Sequence, residues 1–205
     1  MSSSGGSGSG SFNLAKATEV FNKYKDQGTG QIEMEGIGAF WQDAGGPELM
    51  PFYLSFKMNA ANFGQYSQKE FTDGFRAMGV STLDELKKRV PQLANDMKAP
   101  DEFKKMYKFV YNFARDKSNR NMQTEMAVDQ WNTLLKDRCR FLNVWISFLT
   151  EEKKDLKVVT KDTWDMIYEL NETTKGDLST FVDDGSWPPI IDGFIAYFNA
   201  KQGAK

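Results

Sequence analysis

The sequence predicts an all-α protein, and three observations support that fold class. Apolar residues recur at three- and four-residue steps in several segments, alternating strand-like patterns are scarce, and helix-capping residues precede some of the apolar segments. Hydrophobic residues make up 40% of the 205 residues and aromatic residues 14%, which is enough for a substantial core. We therefore expect about nine or ten short helices.

The first clear helical stripe lies in the middle of the chain. Its apolar residues are Leu83, Leu86, Val90, Leu93 and Met97. Thr82 and Glu85 have the spacing of a capping box at its start. Pro91 lies within the stripe and is expected to kink or divide the helix.

Two more stripes follow toward the C-terminus. One consists of Phe103, Met106, Val110 and Phe113, and a longer one consists of Leu135, Cys139, Leu142, Ile146 and Leu149. Only KVVT, residues 157–160, looks extended. The sequence indicates no tandem repeat that continues across both halves of the chain.

Composition suggests how the chain is divided. Residues 1–11, MSSSGGSGSGS, are rich in Gly and Ser, and we expect either a flexible tail or a remnant of an expression linker. They lack the apolar region of a secretory signal peptide. KAPD, residues 98–101, marks a plausible internal boundary. We therefore expect an EF-hand-like helical subdomain over residues 12–99 and a second helical subdomain over residues 100–205.

The loop KDQGTGQIEMEG, residues 25–36, resembles the calcium loop of an EF-hand. Gly30 falls at position six, where the chain turns sharply, and Ile32 falls at position eight, where paired loops form a short β contact. The ligand positions hold Lys25, Gln27, Thr29 and Gly36 instead of carboxylates. This loop is therefore expected to bind no calcium.

A second loop, NAANFGQYSQKE at residues 59–70, has the same partial fit. Gly64, Tyr66 and Glu70 match positions six, eight and twelve, but too few carboxylates remain for calcium. Ser67 and Glu70 also have capping-box spacing, which is a structural role. We expect paired EF-hand-like motifs without metal; the alternative is an EF-hand-like protein or peptide-binding module with a calcium-sensing role.

The reactive residue types exclude several kinds of active site. The chain has no His, so Ser-His-Asp and Cys-His machinery is absent, and its single cysteine rules out an intrachain disulfide. Cys139 lies in an apolar stripe, which favours a buried thiol, although Arg138 and Arg140 leave an activated nucleophile open. A net charge of −2 indicates no general attraction to nucleic acid or to anionic membranes.

Two acids stand near predicted helix starts. Asp162 follows Thr160, a plausible N-cap, and the helix dipole alone favours an acid there. Pro188 and Pro189 suit the first turn of the last helix, and Asp192 lies at the edge of its buried side. Each acid is either a solubilising surface charge or part of a socket for a partner's Lys or Arg.

Four C-terminal motifs resemble one known family. They are WNTLL (131–135), RFLNVWISFL (140–149), KDTW (161–164) and GSWPPIIDGF (185–194). Three N-terminal stretches fit the same family: GIGAFWQDAG, YSQKEFTDGF and FVYNFARD. Over residues 13–198 the chain resembles the potentiating-neddylation (PONY) domain of the defective-in-cullin-neddylation proteins.

The resemblance implies a non-catalytic, scaffold-type co-E3 without a cofactor. Such a protein promotes transfer of the ubiquitin-like modifier Nedd8 from its E2 to a cullin lysine. The implied partners are the C-terminal winged-helix region of the cullin, the N-terminal peptide of the Nedd8 E2 and the RING protein of the cullin complex. The implied location is intracellular, in the cytoplasm, the nucleus or both.

The resemblance also implies two binding sites. The cullin-binding patch falls on Asp162, Ser186 and Asp192, and Ser186 replaces the usual Ala, so we expect weakened or retuned cullin binding. The pocket for the acetylated N-terminal Met of the E2 falls on Ile37, Leu54, Ala60, Phe63, Gly64, Tyr66, Phe113, Gln130 and Thr133. Three of these positions depart from a relative's Gln, Tyr and Leu, namely Phe63, Gln130 and Thr133. The competing interpretation is that the pocket residues are ordinary core.

Overall fold

The computed structural model describes residues 11–203, and the predicted tail over residues 1–11 lies outside them except for Ser11. Ten α-helices occur in the described range, which confirms the all-α prediction. They are α1 (Leu14–Tyr24), α2 (Met34–Ala44), α3 (Met50–Lys57), α4 (Gln68–Ala77), α5 (Leu83–Asp96), α6 (Pro100–Ala114), α7 (Thr124–Leu135), α8 (Leu142–Glu151), α9 (Lys161–Thr174) and α10 (Pro189–Gly203).

Four two-residue strands and one 3₁₀ helix (Leu178–Thr180) complete the secondary structure of the described residues. The strands are β1 (Ile32–Glu33), β2 (Gln65–Tyr66), β3 (Met122–Gln123) and β4 (Val158–Val159). No helix within residues 11–203 has the length and apolar character needed to cross a membrane.

The chain divides into two compact units between Met106 and Tyr107, inside α6. In the first unit, β1 and β2 pair antiparallel with Ile32 opposite Tyr66, which confirms the β contact predicted from the EF-hand-like loops. Each strand leads directly into a helix. Four phenylalanines form the centre of this unit, where Phe71 packs against three others: Phe21 at 5.8 Å, Phe40 at 5.0 Å and Phe75 at 4.5 Å between ring centroids.

The second unit repeats this helix–strand–helix arrangement. Strands β3 and β4 pair antiparallel with Met122 opposite Val159, and they lead into α7 and α9. Asp116 folds the loop before β3 by accepting a hydrogen bond from the backbone N–H of Ser118, as Asp26 does from Gly28 before β1. The two units therefore share a helix–strand–helix arrangement although their core residues differ, and the absence of a tandem sequence repeat stays a prediction.

Three predictions need correction. The long stripe from Leu135 to Leu149 is not one helix, because α7 ends at Leu135 and Cys139 lies in the turn before α8. Pro91 does not divide its helix, since α5 runs continuously from Leu83 to Asp96. The predicted cap at Thr82 is present, but Glu85 reaches the backbone N–H of Ser81 instead of closing the box on Thr82.

Candidate functional site

Asp162 lies in the first turn of α9 and is exposed to solvent. Thr160 is the N-cap of this helix, and its hydroxyl accepts a hydrogen bond from the backbone N–H of Thr163 at 3.1 Å. Within residues 11–203, the side chain of Asp162 makes no hydrogen bond or ion pair. The cap is therefore satisfied without Asp162, whose carboxylate faces water.

The start of α9 is anchored in the core of the second unit through Trp164. The buried Trp164 ring stacks on Tyr107 at 4.6 Å and on Trp131 at 5.2 Å. Its indole N–H donates to the carbonyl of Tyr107 at 3.1 Å, and its own carbonyl accepts from the Tyr107 hydroxyl at 2.7 Å. Asp162 is therefore presented from a fixed backbone.

Asp192 occupies the same kind of position in the first turn of α10. The backbone N–H of Ile191 donates to the carbonyl of Pro188 at 2.8 Å, which starts the helix. Ile191 and Phe194 are fully buried, and the Phe194 ring packs against Trp145 at 5.2 Å. Asp192 is exposed on the opposite side and, within residues 11–203, has no hydrogen-bond or ion-pair partner.

Ser186 is exposed in the loop before α10, and its hydroxyl is turned toward its own chain. The hydroxyl donates to Oδ1 of Asp184 at 2.6 Å, and the backbone N–H of Ser186 donates to the same oxygen at 3.0 Å. These two bonds, the side-chain bond first, hold the pKa of the Asp184 carboxyl below its ordinary value. The extra hydroxyl relative to alanine therefore already has an internal partner.

An open cleft of about 460 Å³ lies beside Asp192. Phe181 and Ile195 line it together with Asp183 and Asp192. Phe181 also packs against Trp187 of the GSWPP motif, with 5.5 Å between ring centroids. The cleft thus combines apolar side chains with two carboxylates.

One residue of the predicted patch lines this cleft. Asp192 lines the cleft, whereas Asp162 and Ser186 do not. Sequence reasoning missed Phe181 and Asp183, because they come from a segment without helical periodicity. The paired acids at residues 183 and 184, immediately before GSWPP, were the available signal.

The second predicted site has six of its residues in the first unit, and four of them are core. The side chains of Ile37, Leu54 and Tyr66 are fully buried, and Ala60 is 2% exposed. The Tyr66 hydroxyl is hydrogen-bonded to the Ser55 hydroxyl at 2.6 Å and accepts from the Trp41 indole at 3.2 Å. Burial raises the pKa of Tyr66 to about 12, so it remains a neutral phenol.

The other two residues of this set in the first unit lie at its surface. Phe63 is 45% exposed and lies 6.2 Å from the Trp41 ring. Gly64 has φ of +100°, and a Cβ placed on it would come within 2.8 Å of the Met34 sulfur. Met34 is itself 53% exposed, so the surface available to a ligand here is made mainly by Met34 and Phe63.

The remaining three residues of the predicted pocket belong to the second unit. Phe113 is buried and stacks on Phe109 at 5.1 Å. Thr133 donates its hydroxyl to the carbonyl of Asp129 at 2.9 Å. Gln130 is half-buried, and its side-chain oxygen has no hydrogen-bond partner among the described residues.

Cys139 is buried in the turn between α7 and α8. Its backbone N–H donates to the carbonyl of Leu135 at 2.8 Å. Burial raises the pKa of its thiol to about 12, so the protein holds it as a neutral thiol at physiological pH. A buried neutral thiol is a poor nucleophile, because the thiolate is the reactive form.

The first EF-hand-like loop has a steric feature at position twelve. A Cβ added to Gly36 would overlap the carbonyl oxygen of Tyr24 and lie 2.9 Å from a methyl carbon of Ile32. The bidentate acid that calcium requires at this position does not fit without movement of the backbone. Among residues 11–203, no group of three or more His, Cys, Asp or Glu side chains is arranged to hold a metal ion.

Comparison with known proteins places these features in a sequence family. Residues 85–197 match the family model described as "Cullin binding". A "DCN1-like protein 3" of Homo sapiens is 30% identical over 189 residues, which cover 90% of this chain and 62% of that protein. The "Defective in cullin neddylation protein 1" of Yarrowia lipolytica is 32% identical over 189 residues, covering 90% of this chain and 78% of that protein.

A further relative gives the same result at lower identity. A "DCN1-like protein 3" of Xenopus tropicalis is 28% identical over 197 residues, 94% of this chain and 65% of that protein. The chain thus spans less than two thirds of the length of these vertebrate relatives. The region matched by the family model contains all three residues of the predicted patch.

Proposed function

Because this chain belongs to the cullin-binding family of defective-in-cullin-neddylation proteins, we propose that it is a scaffold-type co-E3. It holds a cullin and the Nedd8-charged E2 together and so promotes transfer of Nedd8 to a cullin lysine. The acidic patch, formed by Asp162, Ser186 and Asp192, is the proposed cullin-binding surface.

The observation that carries this proposal is the state of the two acids. Asp162 and Asp192 are exposed in the first turns of two well-anchored helices, and neither is used by a cap or an ion pair within the described chain. A carboxylate with no internal partner offers its full hydrogen-bonding capacity to a Lys or Arg of another protein. The adjacent cleft adds apolar surface that a partner side chain can fill.

The proposed mechanism is proximity and not chemistry by this chain. Holding the cullin lysine and the E2 thioester in one complex raises their effective concentration, and for well-oriented groups this effect is large. No group of this protein needs to move a proton or form a covalent bond. The buried neutral thiol of Cys139 is consistent with such a non-catalytic role.

The other partners follow from the same proposal. The C-terminal winged-helix region of the cullin is the proposed partner of the acidic patch. A RING protein of the cullin complex is the third proposed partner. The E2 contributes its N-terminal peptide, and we propose that Phe63, which is exposed in the first unit, contacts this peptide directly. A protein with these partners acts inside the cell.

Ser186 is proposed to retune cullin binding only slightly. A hydroxyl buried in an interface without a partner is unfavourable, because it loses its hydrogen bonds to water. In this protein the hydroxyl of Ser186 donates to Asp184, so its donor requirement is already met before a partner arrives. A patch with Ser in place of Ala therefore remains able to bind a cullin.

The patch is tested by reversing its charges. We expect Asp162→Lys combined with Asp192→Lys to weaken binding to a purified cullin C-terminal fragment by about a hundredfold or more, since the loss of two charge-assisted contacts costs several kcal/mol. Isothermal titration calorimetry measures the affinity, and circular dichroism confirms that the helical spectrum is unchanged.

A matched control separates the patch from net charge. Asp84 and Asp101 are also exposed acids in the first turns of helices, α5 and α6. Replacing both by Lys changes the net charge by the same amount, and binding to the cullin fragment should stay near that of the wild type. Equal loss in both double variants would show that general charge, and not the acidic patch, governs binding.

The calcium-sensing alternative has its own test. We expect no heat of binding when calcium is titrated at micromolar concentrations, because Lys25 and Gly36 occupy ligand positions and Gly36 has no room for an acid. Micromolar calcium binding would restore that alternative.

A further inference from the structure

An open groove in the second unit combines apolar surface with charges of both signs. Its volume is about 390 Å³, and its two walls are α7 and the segment that runs from the end of α8 to β4. The α7 wall carries acids, whereas the opposite wall carries lysines. We call this feature the dipolar groove.

The apolar surface of the dipolar groove comes from both walls. Val128 is half-buried on α7, and Leu156 is half-buried in the loop before β4. Leu149 also lines the groove, but it is only 2% exposed. Val128 and Leu156 therefore supply most of the apolar area that a ligand can reach.

The α7 wall presents two carboxylates beside this apolar area. Glu125 and Asp129 are four residues apart, so they lie on one face of the helix next to Val128. Both residues are exposed, and within residues 11–203 neither side chain has a hydrogen-bond or ion-pair partner. Both carboxylates can therefore pair with a Lys or Arg of another protein.

The opposite wall presents ammonium groups. Lys157 is exposed, and its side chain has no hydrogen-bond or ion-pair partner among the described residues. Lys153 is also exposed, and its ammonium lies 5.8 Å from the centroid of the Phe148 ring, near the limit of a cation–π contact. Lys154 lines the groove as well, and part of its charge is balanced by Glu151. Lys157 and Lys153 are therefore the main cations that a ligand meets.

The two walls are held together by backbone hydrogen bonds. The hydroxyl of Thr124, the first residue of α7, donates to the carbonyl of Leu156 at 2.6 Å, and the N–H of Thr124 donates to the carbonyl of Lys157 at 3.1 Å. The N–H of Leu156 donates in turn to the carbonyl of Lys153 at 2.8 Å. The groove is thus formed before a ligand arrives, which lowers the entropy cost of binding.

We propose that the dipolar groove binds an amphipathic helix of a protein partner, with acids on one side of its apolar stripe and Lys or Arg on the other. The stripe packs on Val128 and Leu156, the cations of the helix pair with Glu125 and Asp129, and its acids pair with Lys157. An amphipathic helix carries flanking charges on two sides of its stripe, as the groove carries its charges on two walls. This charge complementarity also sets the direction in which the helix lies.

A second copy of this chain fits the dipolar groove less well. Two identical grooves that face each other can pair acids with lysines across a two-fold axis. Both surfaces are concave, however, so neither copy supplies an apolar ridge that fills the groove of the other. The charge complementarity therefore favours a helix from a different protein.

The dipolar groove is separate from the two sites of the proposed function. None of the acidic-patch residues lines it, and Val128 lies about 160° around α7 from Gln130 of the predicted E2 pocket. The variant Asp162→Lys with Asp192→Lys should therefore bind a helical peptide in the dipolar groove as the wild type does. Failure of one proposal does not entail failure of the other.

The test uses two labelled helical peptides of about 15 residues, near the length at which an isolated helix becomes stable in water. Both carry a leucine stripe. The mixed peptide has glutamates on one side of the stripe and lysines on the other, and the acidic peptide has glutamates on both sides. Fluorescence anisotropy should show that the wild-type chain binds the mixed peptide about tenfold more tightly than the acidic peptide. Equal affinity for the two peptides would overturn the proposal.

Reversing the charge of one wall should reverse this preference. Glu125→Lys with Asp129→Lys makes both walls basic, so this variant should favour the acidic peptide. Asp84→Lys with Asp101→Lys replaces two exposed acids of the first unit, changes the net charge equally and should keep the preference of the wild type. A reversal in both double variants would show that net charge governs binding and would overturn the proposal.

The apolar contact is tested without a change of charge. Val128→Ser should weaken binding of the mixed peptide several-fold. Val144→Ser changes a half-buried valine of α8 outside the groove and should leave binding unchanged, and circular dichroism checks that both variants keep the helical spectrum. Unchanged binding by Val128→Ser would contradict the proposed contact.

Sedimentation of the wild-type chain distinguishes a partner helix from a second copy. The chain should sediment as a monomer at the concentrations used for peptide binding. A dimer that dissociates in the variant Glu125→Lys with Asp129→Lys would overturn the proposal, because the occupant of the groove would then be a second copy of this chain.

Discussion

Helix α4 in the first unit and helix α9 in the second begin in the same way but present opposite charges. Each follows a two-residue strand, and each has a hydroxyl N-cap, Ser67 or Thr160, that accepts from a backbone N–H three residues later. The second helical residue is Lys69 in α4 and Asp162 in α9. Equivalent positions in the two units therefore carry a cation in one and an acid in the other.

The two helices also use their first acid differently. In α4 the carboxylate of Glu70 accepts from the backbone N–H and the hydroxyl of Ser67, both at 2.7 Å, and from the N–H of Ala61 at 2.8 Å. In α9 the residue in that place is Thr163, and Asp162 has no partner within the described chain. Glu70 therefore stabilises the start of its own helix, whereas the side chain of Asp162 has no partner within the described chain.

The cores of the two units differ in a related way. Around Phe71 the first unit packs phenylalanine rings, which have no polar atoms to satisfy, and the buried Tyr66 hydroxyl lies elsewhere in this core and is hydrogen-bonded to Ser55. In the second unit the Tyr107 hydroxyl accepts from the indole of Trp131 at 2.8 Å and donates to the carbonyl of Trp164. Hydrogen bonds thus tie the helix that carries Asp162 to its neighbours, and this precision suits a binding surface.

Breaking that network is expected to have the largest effect on stability. Trp164→Ala should lower the free energy of unfolding by about 3–5 kcal/mol, because it leaves a large cavity in the core. Urea denaturation followed by circular dichroism measures the loss. Trp164→Phe keeps a ring but leaves the Tyr107 carbonyl without the indole donor, so it should cost less, about 1–3 kcal/mol.

An apolar change in the first unit provides the comparison. Phe71→Leu breaks no hydrogen bond but leaves a small cavity, and we expect it to lower the free energy of unfolding by about 1 kcal/mol, less than Trp164→Phe does. If Phe71→Leu proved as damaging as Trp164→Phe, the hydrogen-bonded core of the second unit would not differ energetically from the phenylalanine core of the first.

Position twelve is Gly36 in the first EF-hand-like loop and Glu70 in the second. Two glycines of α2 test whether Gly36 is closely packed. Gly36→Ala should lower the free energy of unfolding by about 1–3 kcal/mol, because its Cβ overlaps the carbonyl of Tyr24. Gly38→Ala in the same helix meets no atom within 4 Å and should raise it by about 0.5–1 kcal/mol. The melting temperature should therefore fall for Gly36→Ala and rise for Gly38→Ala. A shift of both melting temperatures in the same direction would contradict the close packing at Gly36.

The periodic features could be predicted from the sequence. Helices α5 and α6 are predictable because their buried residues recur at helical spacing. The pairing of Ile32 with Tyr66 is predictable because both residues fall at position eight of EF-hand-like loops. The turn at Cys139 could not be predicted from the sequence, because Leu135, Cys139 and Leu142 keep helical spacing across the break between α7 and α8. Motif resemblance alone predicts the acidic patch, which stays a proposal. The cleft beside Asp192 depends on Phe181 and Asp183, which only tertiary packing brings there.

The smallest expected effect concerns Asp184, whose carboxylate accepts hydrogen bonds within its own loop. Ser186→Ala removes the strongest of the bonds that lower the pKa of Asp184, so that pKa should rise toward its ordinary value while staying below it, because the backbone N–H bond remains. Carboxyl NMR titration measures this shift. Ser179→Ala is the matched control, since Ser179 donates to Asp177 in the same way and its loss should leave Asp184 unchanged.

The sign of the pH effect follows from the depressed pKa of Asp184. The Asp184 contribution to stability is complete above the pKa of the carboxyl in the unfolded chain, and it is lost as the pH falls through the lower pKa of the folded state. Ser186→Ala should therefore reduce stability slightly at neutral pH and make no difference at strongly acidic pH. A larger deficit in acid than at neutral pH would contradict the role of this bond.

We propose that the acidic patch lets this protein promote neddylation as a scaffold. Reconstituted transfer of Nedd8 to a cullin, timed with and without the protein, tests it most directly. We expect the wild type and Cys139→Ser to accelerate transfer equally and Asp162→Lys with Asp192→Lys to give the rate of the reaction without the protein. Full acceleration by the lysine double variant would contradict the claim.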